Sequence, residues 1–368
     1  MSTSLSKRTA SLLGHMAARK RTKALVGFDG FVDTILHVVK TRRSAASYER
    51  FESMSEWAQR IAAASGVSAN FEFVPQVVKL GGNGPIMANA LGELGFGVTY
   101  IGTLGKPALH PIFAGFGKRA RVFSLAEAAR TDAIEFADGK LMCGKTEALA
   151  AVNWRNLVKH IPEPKLTALI SESDLIAMVN WTMLSHLTGV FRNLLARILP
   201  KVKGPRRWIF FDLADPAKRS RADLANVLRL IGRFEKHARV ILGLNLGEAR
   251  QVAAVLGLGE IEETHGAVAH AAARIRSALG IDTVVIHPMR FAAAADAGGA
   301  AHVTGPLTLK PKITTGAGDH FNAGFCLGRI RGLALAESLQ TGVAASGFYV
   351  RSGKSPTLGM LMRFLRTL

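Results

Sequence analysis

Thr314-Thr315-Gly316-Ala317-Gly318-Asp319-His320-Phe321-Asn322-Ala323-Gly324 sets a glycine-rich turn directly before an apolar stretch of helical length. The amides of Gly316, Ala317 and Gly318 can converge on one point, and the positive end of the following helix dipole adds to the pull on an anion there. Asp319 runs against that logic, because a carboxylate beside a bound phosphate repels it. Two roles account for it. It can accept the proton of a hydroxyl that attacks phosphorus, or it can N-cap the helix, a contribution of roughly 1 kcal/mol. The turn by itself leaves both open.

Working outward, the chain alternates strands and helices, the pattern of a mainly parallel sheet covered on both faces. Residues 24–28 read as the opening strand, 52–64 as helix, 71–79 as extended, 84–94 as helix and 98–101 as a buried strand. The rhythm then changes. Residues 121–123, 132–136 and 141–143 read as short strands, the last two hinged at Asp138-Gly139, a dipeptide that signals a hairpin between extended runs. With the segment after Asp33, they predict a small β unit drawn from about 34–50 and 120–145. Alternation resumes with strands at 175–179, 208–213, 240–242, 283–286 and 291–295 and helices at 186–199, 222–236, 248–256 and 264–279. Two or three helices close the chain. Residues 1–23 are basic, lack acidic side chains and read as an extension; 24–368 read as the folded unit.

Composition narrows the field without naming a function. The 368 residues are 48% hydrophobic and 20% charged, and no apolar run reaches the ~18 residues a membrane span needs. The N-terminus has no apolar core or small-residue cleavage site of the secretory kind. Cys143 and Cys326 belong to no C-x-x-C pair and read as two reduced, buried thiols of a cytoplasmic protein. A net charge of +20 suits nucleic acid, an acidic surface or anionic small ligands. The basic residues are dispersed and not interleaved with stacking aromatics, so solvated basic faces are favoured over a nucleic-acid groove.

Three constellations fall where strands of this reading end. Gly27-Phe28-Asp29-Gly30-Phe31-Val32-Asp33 runs a strand into a turn with two carboxylates, which can accept hydrogen bonds from sugar hydroxyls or cap the turn. Gly81-Gly82-Asn83-Gly84 is a flexible turn entering a helix, where backbone can approach a ligand closely. Asn245-Leu246-Gly247-Glu248 carries the signature of a capping box. Beside a phosphate turn, the same pair can orient Mg²⁺ through its waters. Asp212-Leu213-Ala214-Asp215-Pro216 is a secondary candidate for the nucleotide side, and the histidines follow no ligand spacing.

In chain order these pieces resemble the PfkB-type carbohydrate kinases of the ribokinase-like superfamily, from about residue 24 to 356. The resemblance implies a three-layer α/β/α core with a small β-sheet lid. It puts Asp319 in the place of the catalytic base and Gly316, Ala317 and Gly318, with Thr315 beside them, in that of the anion hole and phosphate contacts. Gly82 and Asn83 take the place of the N-terminal signature at the sugar, Asp33 that of the sugar-binding aspartate, and Asn245 with Glu248 that of the motif tied to Mg²⁺ and phosphate. Specificity is expected near Asn180, Trp181 and Thr182. The implied activity is transfer of the terminal phosphoryl group of ATP to a sugar hydroxymethyl, with Mg²⁺ assisting, in a cytoplasmic protein whose lid can pair copies into a homodimer.

The chain departs from the family pattern at three places. Gly105-Lys106-Pro107 stands where many members have Gly-x-Asp, Ile313 where users of a monovalent cation have an acidic residue, and His287-Pro288-Met289 where Thr-x-Gly is usual. The Gly82 to Asn89 stretch is also similar to ADP-dependent sugar kinases. An ADP-dependent or nucleoside kinase of the same fold therefore stands as one alternative, and a catalytically silent regulator or nucleic-acid binder as another.

Overall fold

The computed structural model describes residues 2–16 and 22–368. Its strands, in chain order, are β1 (Lys23–Phe28), β2 (Phe31–Arg42), β3 (Tyr48–Arg50), β4 (Phe73–Gly81), β5 (Gly97–Gly102), β6 (Arg121–Ser124), β7 (Ala129–Phe136), β8 (Gly139–Lys145), β9 (Leu175–Met178), β10 (Trp208–Asp212), β11 (Arg239–Leu244), β12 (Thr283–Ile286), β13 (Phe291–Asp296) and β14 (Gly299–Thr304). Nine of them make one sheet in the order β14-β13-β12-β11-β10-β9-β1-β5-β6. Pairing is parallel from β12 through to β6, and β13 and β14 add an antiparallel hairpin at one edge.

Strands buried on both faces need apolar side chains in both directions, which is why β9, β10 and β12 read as continuous hydrophobic runs. On β10, Ile209 and Phe211 point into one core, and Trp208 and Phe210 into the other. The first core is closed by the helices between 154 and 279. The second is closed by Asn83–Glu93, Ala317–Ile330, Leu335–Ser352 and Leu358–Thr367. The result is the expected three-layer core.

The small sheet runs β3-β2-β7-β8, and β4 also pairs β2, along residues 31–38. The Met54–Ala62 helix covers part of it through Trp57, which packs with Val38, Phe51, Ile134 and Phe136. Two sequence expectations need correcting here. Residues 121–124 belong to the large sheet, pairing β5 in parallel, because Val122 and Phe123 pack on its cores. The extended run ending at Gly81 joins the small sheet, antiparallel to β2.

The basic extension contains a helix, Ser2–Met16, that buries Ala10 and Leu13 against the C-terminal helices and receives the Gln340 Nε2–H on Ser6. Residues 1 and 17–21 of that stretch lie outside the described residues. Cys326 is buried as expected, but Cys143 is exposed, since β8 is an edge strand. No helix among the described residues is long and apolar enough to cross a membrane.

The chain places Asp29, Asn180, Asp212, Asn245 and His287 just at or beyond the carboxyl ends of β1, β9, β10, β11 and β12. In an open parallel sheet that rim is where ligands bind.

Candidate active site

The glycines of Gly81-Gly82-Asn83-Gly84 each answer a specific constraint. A Cβ on Gly81 would sit 2.3 Å from the Asp33 carboxylate, and one on Gly84 would sit 2.2 Å from the Tyr100 hydroxyl. Gly82 has φ +95, a conformation side chains resist. The turn needs this close packing because Asp29, fully buried, caps the helix it starts. Asp29 Oδ2 accepts the Asn83 N–H at 3.0 Å and the Asn180 Nδ2–H at 2.7 Å, and Oδ1 accepts the Gly84 N–H at 2.8 Å. Burial nevertheless pushes the Asp29 carboxyl up to about 6. Its acceptor capacity is spent on the protein, so Asp29 holds the frame.

Asp33 is placed differently. It lies on β2 between Lys79 of β4 and Thr131 of β7, and the Thr131 hydroxyl donates to it. Burial raises its pKa, and that hydrogen bond and the nearby Lys79 oppose the rise.

Asp319 occupies the first turn of the Ala317–Ile330 helix, behind Gly316, whose φ is +90. The Asn83 side chain donates to Asp319 Oδ1 at 3.2 Å. The two glycine turns thus meet at this carboxylate. Burial pushes its pKa up to about 8; the Asn83 hydrogen bond draws it down, and the charges of Asp29 and Glu248 raise it. The anion turn is partly self-satisfied, since the Ala317 N–H donates to the Thr314 carbonyl at 3.1 Å. Ala317 is therefore not a free donor as expected, whereas the Gly316 and Gly318 N–H groups have no backbone acceptor among the described residues.

Asn245 and Glu248 form a complete capping box. Asn245 Oδ1 accepts the Glu248 N–H at 2.9 Å, and Glu248 Oε2 accepts the Asn245 N–H at 2.8 Å. Glu248 does more than cap, because Oε1 accepts the Asp215 N–H at 2.9 Å. That amide belongs to a turn in which Ala214 and Asp215 both take left-handed φ values, 55 and 60. Asp212 holds the same turn from the other side through the Ala214 N–H at 2.9 Å, and it also accepts the Asn322 Nδ2–H at 2.9 Å. Burial and the charges of Glu248 and Asp319 push Asp212 well above the carboxylate range. Burial likewise raises Glu248.

No cationic side chain among the described residues figures in the fields of Asp212, Glu248 and Asp319, and Asn322 Oδ1 beside Asp212 has no partner there. That donor set suits a cation. No three His, Cys, Asp or Glu side chains among the described residues come together tightly enough to hold one alone. Magnesium held largely through waters and phosphate oxygens fits such a site.

Two cavities adjoin the anion turn. One of about 330 Å³ is largely apolar, lined by Pro288, Met289, Phe291, Leu307 and Val343, and reaches Thr314, Ala317 and Gly318. The departures His287, Pro288 and Met289 thus form part of its wall. The other, about 590 Å³, is lined by Thr315, His320, Tyr349, Lys354 and Ser355 among others. Thr315, expected on the phosphate side, lines this second cavity, while its neighbour Thr314 lines the first.

Asn180, expected at the acceptor, gives its Nδ2–H to Asp29 and keeps Oδ1 without a partner among the described residues at 1% exposure; the Thr182 hydroxyl, two residues on, is likewise unpartnered there. Its φ of 60 puts a non-glycine residue in the left-handed region at the rim. Sequence reasoning missed the pairing of Asp212 with Asn322 and the role of Tyr100, whose hydroxyl donates to the Asp29 carbonyl at 2.6 Å. Asn322 stands one turn after Asp319 on the same helix, and that i, i+3 spacing was the available signal.

Comparison with known proteins places the chain in a family and a fold. A family model described as prokaryotic ketohexokinase matches residues 14–367. A ketohexokinase of Haloferax volcanii is 31% identical over 93% of this chain and 90% of its own. Among solved structures, ribokinase from Thermotoga maritima superposes with a TM-score of 0.63 at 16% identity, covering 94% of this chain and 100% of that one. Phosphofructokinase-2 from Escherichia coli superposes with a TM-score of 0.63 at 14% identity, covering 95% and 99%. At such identities these two structures speak for the ribokinase-like fold.

Proposed function

Because this chain belongs to the prokaryotic ketohexokinase family, and is therefore a sugar kinase, we propose that it moves the terminal phosphoryl group of ATP onto a hydroxymethyl group of a ketohexose. The observation that carries this reading is the position of Asp319, buried behind the anion turn, bonded by Asn83 and directly following Gly318, which lines the apolar cavity.

In this reading the base of ATP fills the apolar cavity and its phosphates reach the N–H groups of Gly316 and Gly318. Asp33 and the lid hold the acceptor. Asp319 takes the proton of the attacking hydroxyl while the new oxygen–phosphorus bond forms and the bond to the bridging oxygen of ADP breaks. Little covalent chemistry is asked of the protein, so placement and charge account for the rate. Glu248 and Asn245, with Asp212 beside them, would hold Mg²⁺ through water, and the ion would supply positive charge against the phosphates.

The chain works in the cytoplasm in this reading, and its lid pairs with a second copy. Val77 and Val78 on edge strand β4 and Leu141 and Met142 on edge strand β8 are exposed apolar residues of the kind that edge pairing covers.

The test is a panel of ketohexoses, aldoses and nucleosides with ATP or ADP, read as phosphorylated product. Ketohexose with ATP is expected to be fastest. Turnover confined to nucleosides, or to ADP as donor, overturns the reading.

A further inference from the structure

Behind the anion turn, two aromatic rings lie face to face. His320 and Tyr349 have centroids 3.6 Å apart and planes inclined by 13°. Each ring holds one carbonyl of the turn. The Tyr349 hydroxyl donates to the Thr315 carbonyl at 3.0 Å, and His320 Nδ1 lies 2.7 Å from the Gly316 carbonyl. A carbonyl only accepts, so Nδ1 carries the proton. Burial holds the imidazole pKa down to about 4, so the ring is neutral and Nε2 is an acceptor. The Ser355 hydroxyl, 2.8 Å away, supplies its hydrogen to Nε2. Ser355 in turn receives the Asn89 Nδ2–H at 3.0 Å.

Every donor and acceptor along this path is therefore assigned, from the turn to the Asn83–Glu93 helix. That helix now grips the Asp319 segment at two points: Asn83 on Asp319 itself, and Asn89 through Ser355 on His320.

The consequence follows from peptide geometry. In a trans peptide the N–H points opposite to the C=O. Drawing the Thr315 carbonyl back toward Tyr349 aims the Gly316 N–H away from the rings. Drawing the Gly316 carbonyl toward His320 fixes the next peptide and starts the helix whose Gly318 N–H has no acceptor. Glycine at 316 is free to take other conformations, so something outside the turn has to choose this one.

We propose that His320 and Tyr349 are positioning residues for phosphoryl transfer, a stacked pair that presets the anion turn by holding the carbonyls of Thr315 and Gly316. This rests on the reading of Asp319 and its turn given above. The pair lines the second cavity and not the apolar one assigned to the nucleotide base, and its hydrogen bonds run to the turn's carbonyls and to Ser355. It sets where the free amides point, and a preorganised donor is the kind of group whose displacement costs rate rather than acceptor affinity.

The decisive experiment substitutes His320 by the two amides, which divide its functions. Asparagine places its Nδ2 near the position of Nδ1 and can still reach the Gly316 carbonyl; glutamine reaches toward Ser355 and abandons Gly316. Steady-state kinetics with ATP and fructose as probes, alongside thermal midpoints, should show kcat for His320→Gln and for Tyr349→Phe lowered about tenfold, with sugar KM within about twofold, because small displacements of reacting groups cost rate steeply. His320→Asn should stay within about threefold of the parent.

A packing role predicts the reverse order, since asparagine leaves the larger hole; asparagine no better than glutamine therefore overturns the proposal. So does full kcat in both His320→Gln and Tyr349→Phe when Asp319→Asn is inactive, a result that leaves the function intact. Retained turnover in Asp319→Asn overturns the reading on which the proposal rests.

Discussion

Asn83 donates its side-chain amide to Asp319 across a sequence separation of 236 residues. The bond joins the two glycine turns and gives Asn83 a duty that its sequence context did not announce. A hydrogen bond to the charged form favours that form, so Asn83 works against the burial that raises the Asp319 carboxyl. Asp319, Asn83 and Asp29 make one chain of contacts: Asp29 fixes the backbone of Asn83, and Asn83 in turn fixes the carboxylate.

The first expectation concerns proton transfer. Asp319→Asn preserves volume and the approach of Asn83 but cannot accept a proton, so kcat should fall by about 10² or more, within the usual range for a general base. Nucleotide affinity measured by calorimetry should persist. Near-normal turnover would remove Asp319 from the base role.

The second concerns pH. A base acts when deprotonated, and Asp319 is raised to about 8 in the free protein. Activity should therefore be lost as pH falls through that value. Measured with both substrates dilute, kcat/KM should climb about tenfold per pH unit below 8 and level off above it. Asn83→Ala removes the contact that draws the value down, so its limb should move to higher pH. A limb in the ordinary carboxylate range would contradict this account of the buried site.

The third separates two aspartates that look alike in sequence. Asp33→Ala should damage acceptor binding and catalysis while sparing nucleotide affinity, because hydrogen bonds that substrate hydroxyls donate to a carboxylate contribute roughly 1.5–3 kcal/mol each. Asp29→Asn should act on the fold. It turns an amide hydrogen toward backbone donors that need acceptors, a loss of about 1–3 kcal/mol per stranded group. Thermal midpoints and calorimetry of both variants decide it; a stable Asp29→Asn protein with impaired sugar binding would reverse the assignment.

Much of this was legible in advance. The parallel core was readable because strands such as β10 are apolar on both faces, and Asp138-Gly139 announced its hairpin because that dipeptide tolerates the turn. The placement of β6 was not readable, since a four-residue strand carries no label for the sheet it joins. Asp29 and Asp33, four residues apart, offered capping and sugar contact as equal options. What separates them is tertiary: Asp29 meets the amides of a turn more than 50 residues away, while Asp33 meets Lys79 and Thr131 across the lid. The stacked pair of His320 and Tyr349 was likewise hidden, because ring stacking between two helices leaves no periodic trace.

The last expectation divides capping from metal placement at Glu248. Both of its oxygens receive backbone N–H groups, from Asn245 and Asp215. Glutamine offers one acceptor oxygen where two are used, so Glu248→Gln should cost about 1–3 kcal/mol of stability through the stranded amide, whatever else the residue does. Stability alone therefore cannot identify a metal role. The discriminating measurement is activity titrated against Mg²⁺ at a temperature where both proteins remain folded. If Glu248 helps to hold the ion through water, loss of its charge should move the activation curve severalfold to higher Mg²⁺ while maximal rate is largely recovered. Superimposable curves from a less stable variant would confine Glu248 to the cap and to the strap on the Ala214-Asp215 turn.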